Sequence, residues 1–174
     1  MRRKGLFYIT LLLLCSLSSP AQNKSFIWYS DVRDSMVMIP APSGYVNDLE
    51  GIFTLEQIIS LDSMIEGHEK NTGIQIAAVT IDSLFSDNEK LTAFAYALFD
   101  KWGVGQDSLN NGIVIVFGAK QRLIRIQTGV GLQSLLWEEN LRKIIVEAVI
   151  PEFKKKNYYE GIRQGILQLI AETD

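Results

Sequence analysis

Several oxygen-bearing side chains sit beside glycine-rich turns in this chain: Asp48, Asp107, Asn110, Asn111, Gln133, Glu138 and Glu139. Hard divalent cations take such carboxylates and amides as ligands, and carbonyls from flexible loops complete the shell. The candidate metal ligands are Asp48, Asn110, Asn111, Gln133 and Glu138, for Ca2+ or Mg2+. Each residue also has a plainer use. Asp48 can open a turn, Asn110-Asn111-Gly112 can make one, and Glu138 suits a helix N-terminus. They become a site only if the fold gathers them at one end of a sheet.

Other chemistries lack their parts. There is no P-loop. The pairs Gly103-Val104-Gly105 and Gly129-Val130-Gly131 each lack the third glycine of a dinucleotide loop. His68 is the sole histidine, so no zinc signature exists, and any serine triad would depend on it. It stands beside Glu69 on a polar helix face, where a surface position is expected. The run from Asp100 to Asn111 lacks the alternate acids and the terminal Glu of an EF-hand loop.

The elements that must position the candidates centre on Trp102 to Leu132. Ile113 to Phe117 is wholly apolar and predicts a strand buried on both faces. After a short turn, Ile124 and Ile126 alternate with Leu123, Arg125 and Gln127, a second strand. The hairpin should bring its two flanking glycine loops side by side. Earlier, Thr54 with Gln57 fits a capping box for a helix running to about Lys70 and closed by Gly73. Val46-Asn47-Asp48 precedes that helix. Ile74 to Ile81 is a β-branched strand, and Glu89 to Trp102 a helix. Glu138 to Ile150 is a helix that Pro151 should break or kink. Tyr158 to Glu172 is the last. Helices alternating with strands predict an α/β fold, a mixed sheet covered by helices on both faces.

The ends carry a different message. Arg2, Arg3 and Lys4, the apolar run Leu6 to Leu14, and Ser19-Pro20-Ala21 form an export signal over residues 1–21. The apolar run is too short to span a bilayer. A tether follows over 22–44, with Met36–Ile39 a candidate edge strand, and the domain proper occupies 45–174. Losing the three leading cations takes the formal charge from −3 to −6. An acidic chain of this kind is a poor nucleic-acid binder. The only cysteine, Cys15, lies in the signal. Leu14 stands before it where lipoprotein signals want a small residue, so a free exported protein is expected over a lipid-anchored one.

The order of the pieces resembles the TPM domain family, which includes thylakoid-lumen photosystem II repair proteins and bacterial envelope proteins. The matching stretches are Val46-Asn47-Asp48, Thr72 to Ile76, Trp102 to Gly105, Asn110 to Ile113, Arg122 to Ile126, Gly129 to Leu132, and Ile150 to Phe153 with Tyr158, Tyr159, Gly161 and Gly165. The resemblance implies a three-layer α/β/α sandwich, an extracytoplasmic location, calcium binding and an acid phosphatase activity reported for plant relatives. It carries site roles onto Asp48, Asn111 and Glu138. This chain departs from the family where it has Asn110 for a frequent Asp, Gln127 and Gln133 for frequent Glu, and Trp137-Glu138 for Pro-Asp. Each amide keeps an oxygen but drops a charge, which predicts a weak cation site. Trp137 could face a partner if exposed, though core packing is the expectation.

Two functions follow. The favoured one is a periplasmic or extracellular binding and assembly module of the cell envelope, with an unidentified envelope protein as partner and no transmembrane segment after signal cleavage. The alternative is a metal-assisted acid phosphatase acting on phosphate monoesters, with Asp48 or Glu138 as base. A ligand-free structural domain is the remaining reading.

Overall fold

The structure is a computed structural model that describes residues 26–29, 37–82 and 88–174. The expected signal segment 1–21, including Cys15, lies outside the described residues. The first strand pair described is β1 (Phe26–Tyr29) antiparallel to β2 (Val37–Pro40). The main sheet has the order β3-β4-β5-β6. Its strands are β3 (Val46–Asp48), β4 (Gln75–Thr80), β5 (Gly112–Gly118) and β6 (Leu123–Thr128). β3, β4 and β5 run parallel, and β6 returns antiparallel to β5.

β5 is buried along its whole length, as an unbroken apolar run requires. Ile113, Ile115 and Phe117 face one core with Leu61 and Ile65 of helix α1 (Leu55–Thr72) and Ile162, Ile166 and Leu169 of α5 (Tyr158–Thr173). Val114 and Val116 face the other, against Leu91, Phe94, Ala95 and Leu98 of α2 (Asn88–Trp102). The expected three layers are therefore present, with helices on both faces. α1 begins at Thr54 with a complete capping box and ends at Gly73, whose φ of 75° is the left-handed cap that glycine accepts without strain.

Four details depart from the expectations. Val46–Asp48, read only as the approach to a helix, is a strand paired with Ala78–Thr80. Within the stretch read as a tether, residues 36–39 do fall largely in a strand, but β2 pairs with β1 instead of the main sheet. It is docked there: Ile39 is fully buried in the α2-side core, and the Trp102 indole N–H donates to the Pro40 carbonyl at 2.8 Å. His68 is buried, not on the surface. Its Nε2 lies 3.1 Å from Thr173 Oγ1, and its Nδ1 lies 3.1 Å from a carboxylate oxygen of Asp174 on the last turn of the chain.

The fourth is Pro151. Helix α3 (Glu138–Ile144) does not stop before it but widens into a π-helical turn, Ile145–Val149, and continues as α4 (Ile150–Lys154). The Ile150 N–H donates to the Ile145 carbonyl, five residues back. A proline ring ordinarily collides with the carbonyl four residues before it. The π turn moves that carbonyl aside and lets the helix pass. Phe153 then meets the Phe117 ring at 5.3 Å, and Gly161 of α5 lies directly against it.

Candidate functional site

Antiparallel pairing does bring the two glycine loops together. Gly129 N–H donates to the Gly112 carbonyl at 2.9 Å and Gly131 N–H to the Asn110 carbonyl at 3.1 Å. The contact is backbone on backbone. A Cβ on Gly131 would overlap the Leu109 carbonyl oxygen, and one on Gly129 the Asn110 oxygen. Asn111 is buried. Its Oδ1 accepts from Gln106 N–H and its Nδ2 donates to the Gly73 carbonyl, both at 2.9 Å. Gln75 accepts from Gly105 N–H and donates to Glu69, both at 2.7 Å. The Tyr45 hydroxyl is pushed up to about 12, first by its hydrogen bond to Glu69, then by burial and by the negative charges around it. Asn110 itself is exposed and turns the chain at a φ of 48°. These residues tie the loops to the end of α1; they are occupied in making the fold.

Asp48 is at the other end of the sheet. It pairs with Thr80, the last residue of β4, whereas Gly112 pairs with Gln75, the first. Six strand residues put about 17 Å between the two ends. The reason is the unforeseen strand β3: running parallel to β4 and β5, it delivers its carboxyl end far from their amino ends. Asp48 Oδ1 accepts from the Thr80 hydroxyl at 2.6 Å and Oδ2 from Phe53 N–H at 2.8 Å. Asp48, Asn110, Asn111, Gln133 and Glu138 thus do not fit one ion.

Gln133 and Glu138 do meet, in a cleft of about 310 Å³ beside β6. Tyr96 of α2, Arg125 and Gln127 of β6, and Trp137 complete its wall. Arg125 and Gln127 lie on the α2 side of the sheet, the side to which Leu123 also points. Glu138 opens α3, which packs on the opposite face. The Arg125 guanidinium reaches across to Glu138, Nη1 to Oε1 at 2.8 Å and Nη2 to Oε2 at 3.4 Å, a two-pronged grip. Trp137 is the N-cap of α3, so its side chain leaves the helix outward; it is 65 % exposed, against the expectation of core packing. Tyr96 is exposed as well. Two polar atoms in this wall, Arg125 Nε and Gln127 Oε1, are buried without a hydrogen-bond partner. Buried groups left so cost about 1–3 kcal/mol each.

A wider cleft, about 520 Å³, separates α3 and α4 from α5 and is rich in Glu. Its carboxylates are partly neutralised, Glu152 by Lys155 and Glu160 by Arg163. The cleft beside β6 combines exposed aromatics, a guanidinium and unmet polar atoms. Arg125 was legible only as one step of a strand alternation. Its signal was a charge in an otherwise half-apolar strand, and nothing local said what it would face.

A family model for the TPM domain matches residues 46–172. Among solved structures, the chain is similar to the N-terminal domain of a protein from P. gingivalis, at 30% identity and a TM-score of 0.67, covering 74% of this chain and 80% of that one. It is similar to the BA42 protein of the psychrophilic bacteria Bizionia argentinensis, at 20% identity and a TM-score of 0.62, covering 72% and 83%. The N-terminal domain of cg2496 from Corynebacterium glutamicum shares the fold at 14% identity and a TM-score of 0.58, covering 76% and 81%. No curated protein gives a significant match.

Proposed function

Because the chain belongs to the TPM domain family, we propose that it acts as an exported binding module of the cell envelope, and that it binds through the cleft beside β6. The observation that carries this reading is the pair of unmet polar atoms, Arg125 Nε and Gln127 Oε1, in a wall flanked by exposed Tyr96 and Trp137. A partner that covers two aromatic rings gains from their burial, and side-chain movement on docking that lets the two buried polar atoms find partners recovers free energy that the isolated protein lacks. Among the described residues no helix is long and apolar enough to cross a membrane. Export rests on residues 1–21, and finding Gln22 at the N-terminus of the mature protein tests it.

A divalent cation in this cleft would meet Gln127, Gln133 and Glu138. Only one of the three is a carboxylate, and Arg125 already holds it. The residues therefore suit weak binding of calcium or magnesium. Thermal unfolding of residues 22–174 at millimolar calcium should rise by a small amount through mass action.

Photo-crosslinking tests the binding reading in cells. A crosslinking amino acid at position 137 should give a discrete product, and one at Ile59, exposed on α1, should not. Equal products at both positions, or none at 137, would defeat it. A second reading is favoured by the guanidinium, since Arg grips phosphate as it grips a carboxylate. In it the cleft holds a phosphate monoester for acid phosphatase chemistry. Hydrolysis of p-nitrophenyl phosphate that needs a divalent cation and disappears in Arg125→Met would establish it.

A further inference from the structure

Among the described residues β6 is the outer strand of the sheet, and its outward edge has a definite phase. Gly129 N–H donates to the Gly112 carbonyl, so the pair 112–129 is of the hydrogen-bonded kind. Alternation then assigns Gln127, Arg125 and Leu123 to bonds with β5. The main-chain N–H and C=O groups of Ile124, Ile126 and Thr128 point away from the sheet. They are not bare: the Thr128 carbonyl accepts from the Gln127 amide at 3.0 Å, and Ile126 is only 2 % exposed. Beside them lies not one cavity but two. The 310 Å³ cleft is continued along the strand by one of about 250 Å³, lined by Asn88, Thr92, Ile124, Arg142 and Ile145. Both cavities share Arg125 and Glu138. The ion pair therefore crosses the edge like a clasp and divides one groove in two. Glu138 is 73 % exposed while Arg125 is only 25 % exposed, so the carboxylate is the half that can swing away.

The lining is also selective. In a chain of net charge −3, the groove presents, among the described residues, Arg125 and Arg142 against a single acid, Glu138. That acid already shows which group the guanidinium accepts.

We propose that the outer edge of β6, uncovered when Glu138 swings off Arg125, binds an extended acidic peptide as an added strand, with a peptide carboxylate replacing Glu138 on Arg125. The proposal rests on the binding reading given above and names its ligand. Once the edge is uncovered, the peptide backbone pairs with Ile124, Ile126 and the Thr128 N–H, displacing the Gln127 amide if it also takes the Thr128 carbonyl, a main-chain mode of recognition open to any accessible sheet edge. Its acidic side chain takes the guanidinium in two-pronged fashion, and its neighbours lie between Tyr96 and Trp137. Glu138 acts as a built-in competitor that keeps the edge closed to neutral strands.

The test uses purified residues 22–174 and a fluorescent, alternating Thr/Val peptide with one central Glu. Three comparison peptides carry Gln in place of that Glu, N-methyl groups on the pairing edge, or a scrambled order. The Glu peptide should bind, with amide shifts centred on Ile124, Ile126 and Thr128. The Gln and N-methyl peptides should each bind at least about tenfold more weakly, the range of one charge-assisted bond. Arg125→Met should abolish the preference for Glu over Gln. Glu138→Gln should tighten binding severalfold by removing the competitor, a gain that a merely supportive Glu138 would not give. Unfolding curves of both variants establish that each is folded. No binding of the Glu peptide to wild type or Glu138→Gln would overturn the proposal. So would binding indifferent to N-methylation, or self-association through β6 that the peptide does not compete away. If crosslinking at position 137 succeeds while these peptides fail, the cleft binds something else and only the strand-addition mechanism is lost.

Discussion

The glycine-loop end and the β6 edge are both built around polar residues, but they use them differently. At the loop end Asn111 has a partner for each half of its amide, Gln75 likewise, and Gly129 and Gly131 press directly on the facing backbone. At the β6 edge, Arg125 and Gln127 each keep a buried atom with no partner, and two aromatic rings face solvent. The difference teaches that an eye-catching motif and a binding site are separate things. Asn-Asn-Gly and Gly-x-Gly are needed to bring two loops into contact, and that use exhausts them. The residues with capacity left over are ordinary members of a strand and a helix start.

The contrast can be broken most directly at Gly131. Gly131→Val has to push Leu109 away and should cost about 3 kcal/mol or more in denaturant unfolding. A loss below about 0.5 kcal/mol, within the range of an ordinary surface change, would mean the loops separate freely and are open to ligand after all. Asn111→Ala comes next. It removes both hydrogen bonds of a buried amide and should cost roughly 1–2 kcal/mol while leaving ligand affinity at the β6 cleft unchanged. A change in that affinity would show the two regions to be coupled.

The double change Gln127→Glu with Gln133→Glu sharpens the comparison from the other side. It adds two carboxylates where Glu138 already stands and should tighten calcium binding on the order of tenfold, about 1.4 kcal/mol, as read by calorimetric titration. Adding Asn110→Asp, in the loop region, should contribute nothing further. The smallest effect on stability belongs to Trp137→Ala. Removing a tryptophan from a core costs about 3–5 kcal/mol, but this one is 65 % exposed, and the unfolding free energy should move by no more than about 0.5 kcal/mol. A core-sized loss would restore the packing role expected from its hydrophobicity.

Much of the fold was legible because it follows from local rules. The capping box at Thr54, the cap at Gly73 and the apolar run through β5 each declare themselves within a few residues. β3 was hidden because three residues carry no period; it is a strand only because β4 offers it an edge. That one omission moved Asp48 to the wrong end of the sheet. His68 looks like a surface residue in the sequence because its burial depends on α5 arriving from 105 residues away. The cleft was half legible. Gln133 and Glu138 stand out as oxygen donors beside a glycine loop, but Arg125 shows only as a strand residue, since its partner across the edge is set by where α3 docks.

The π turn at Ile145–Val149 also has a consequence for the length of its helix. Such a turn holds one residue more than the regular winding would. Deleting a single residue within it restores ordinary winding, and because the wide turn had absorbed that residue, everything downstream keeps nearly the same angular phase instead of turning by the roughly 100° that one residue of regular helix carries. Phe153 would still face the Phe117 ring and Gly161, but Pro151 would recover its collision with the preceding turn. In that segment the extra residue acts as slack: it makes room for a proline without turning the aromatic stack that joins the last helices to the central strand.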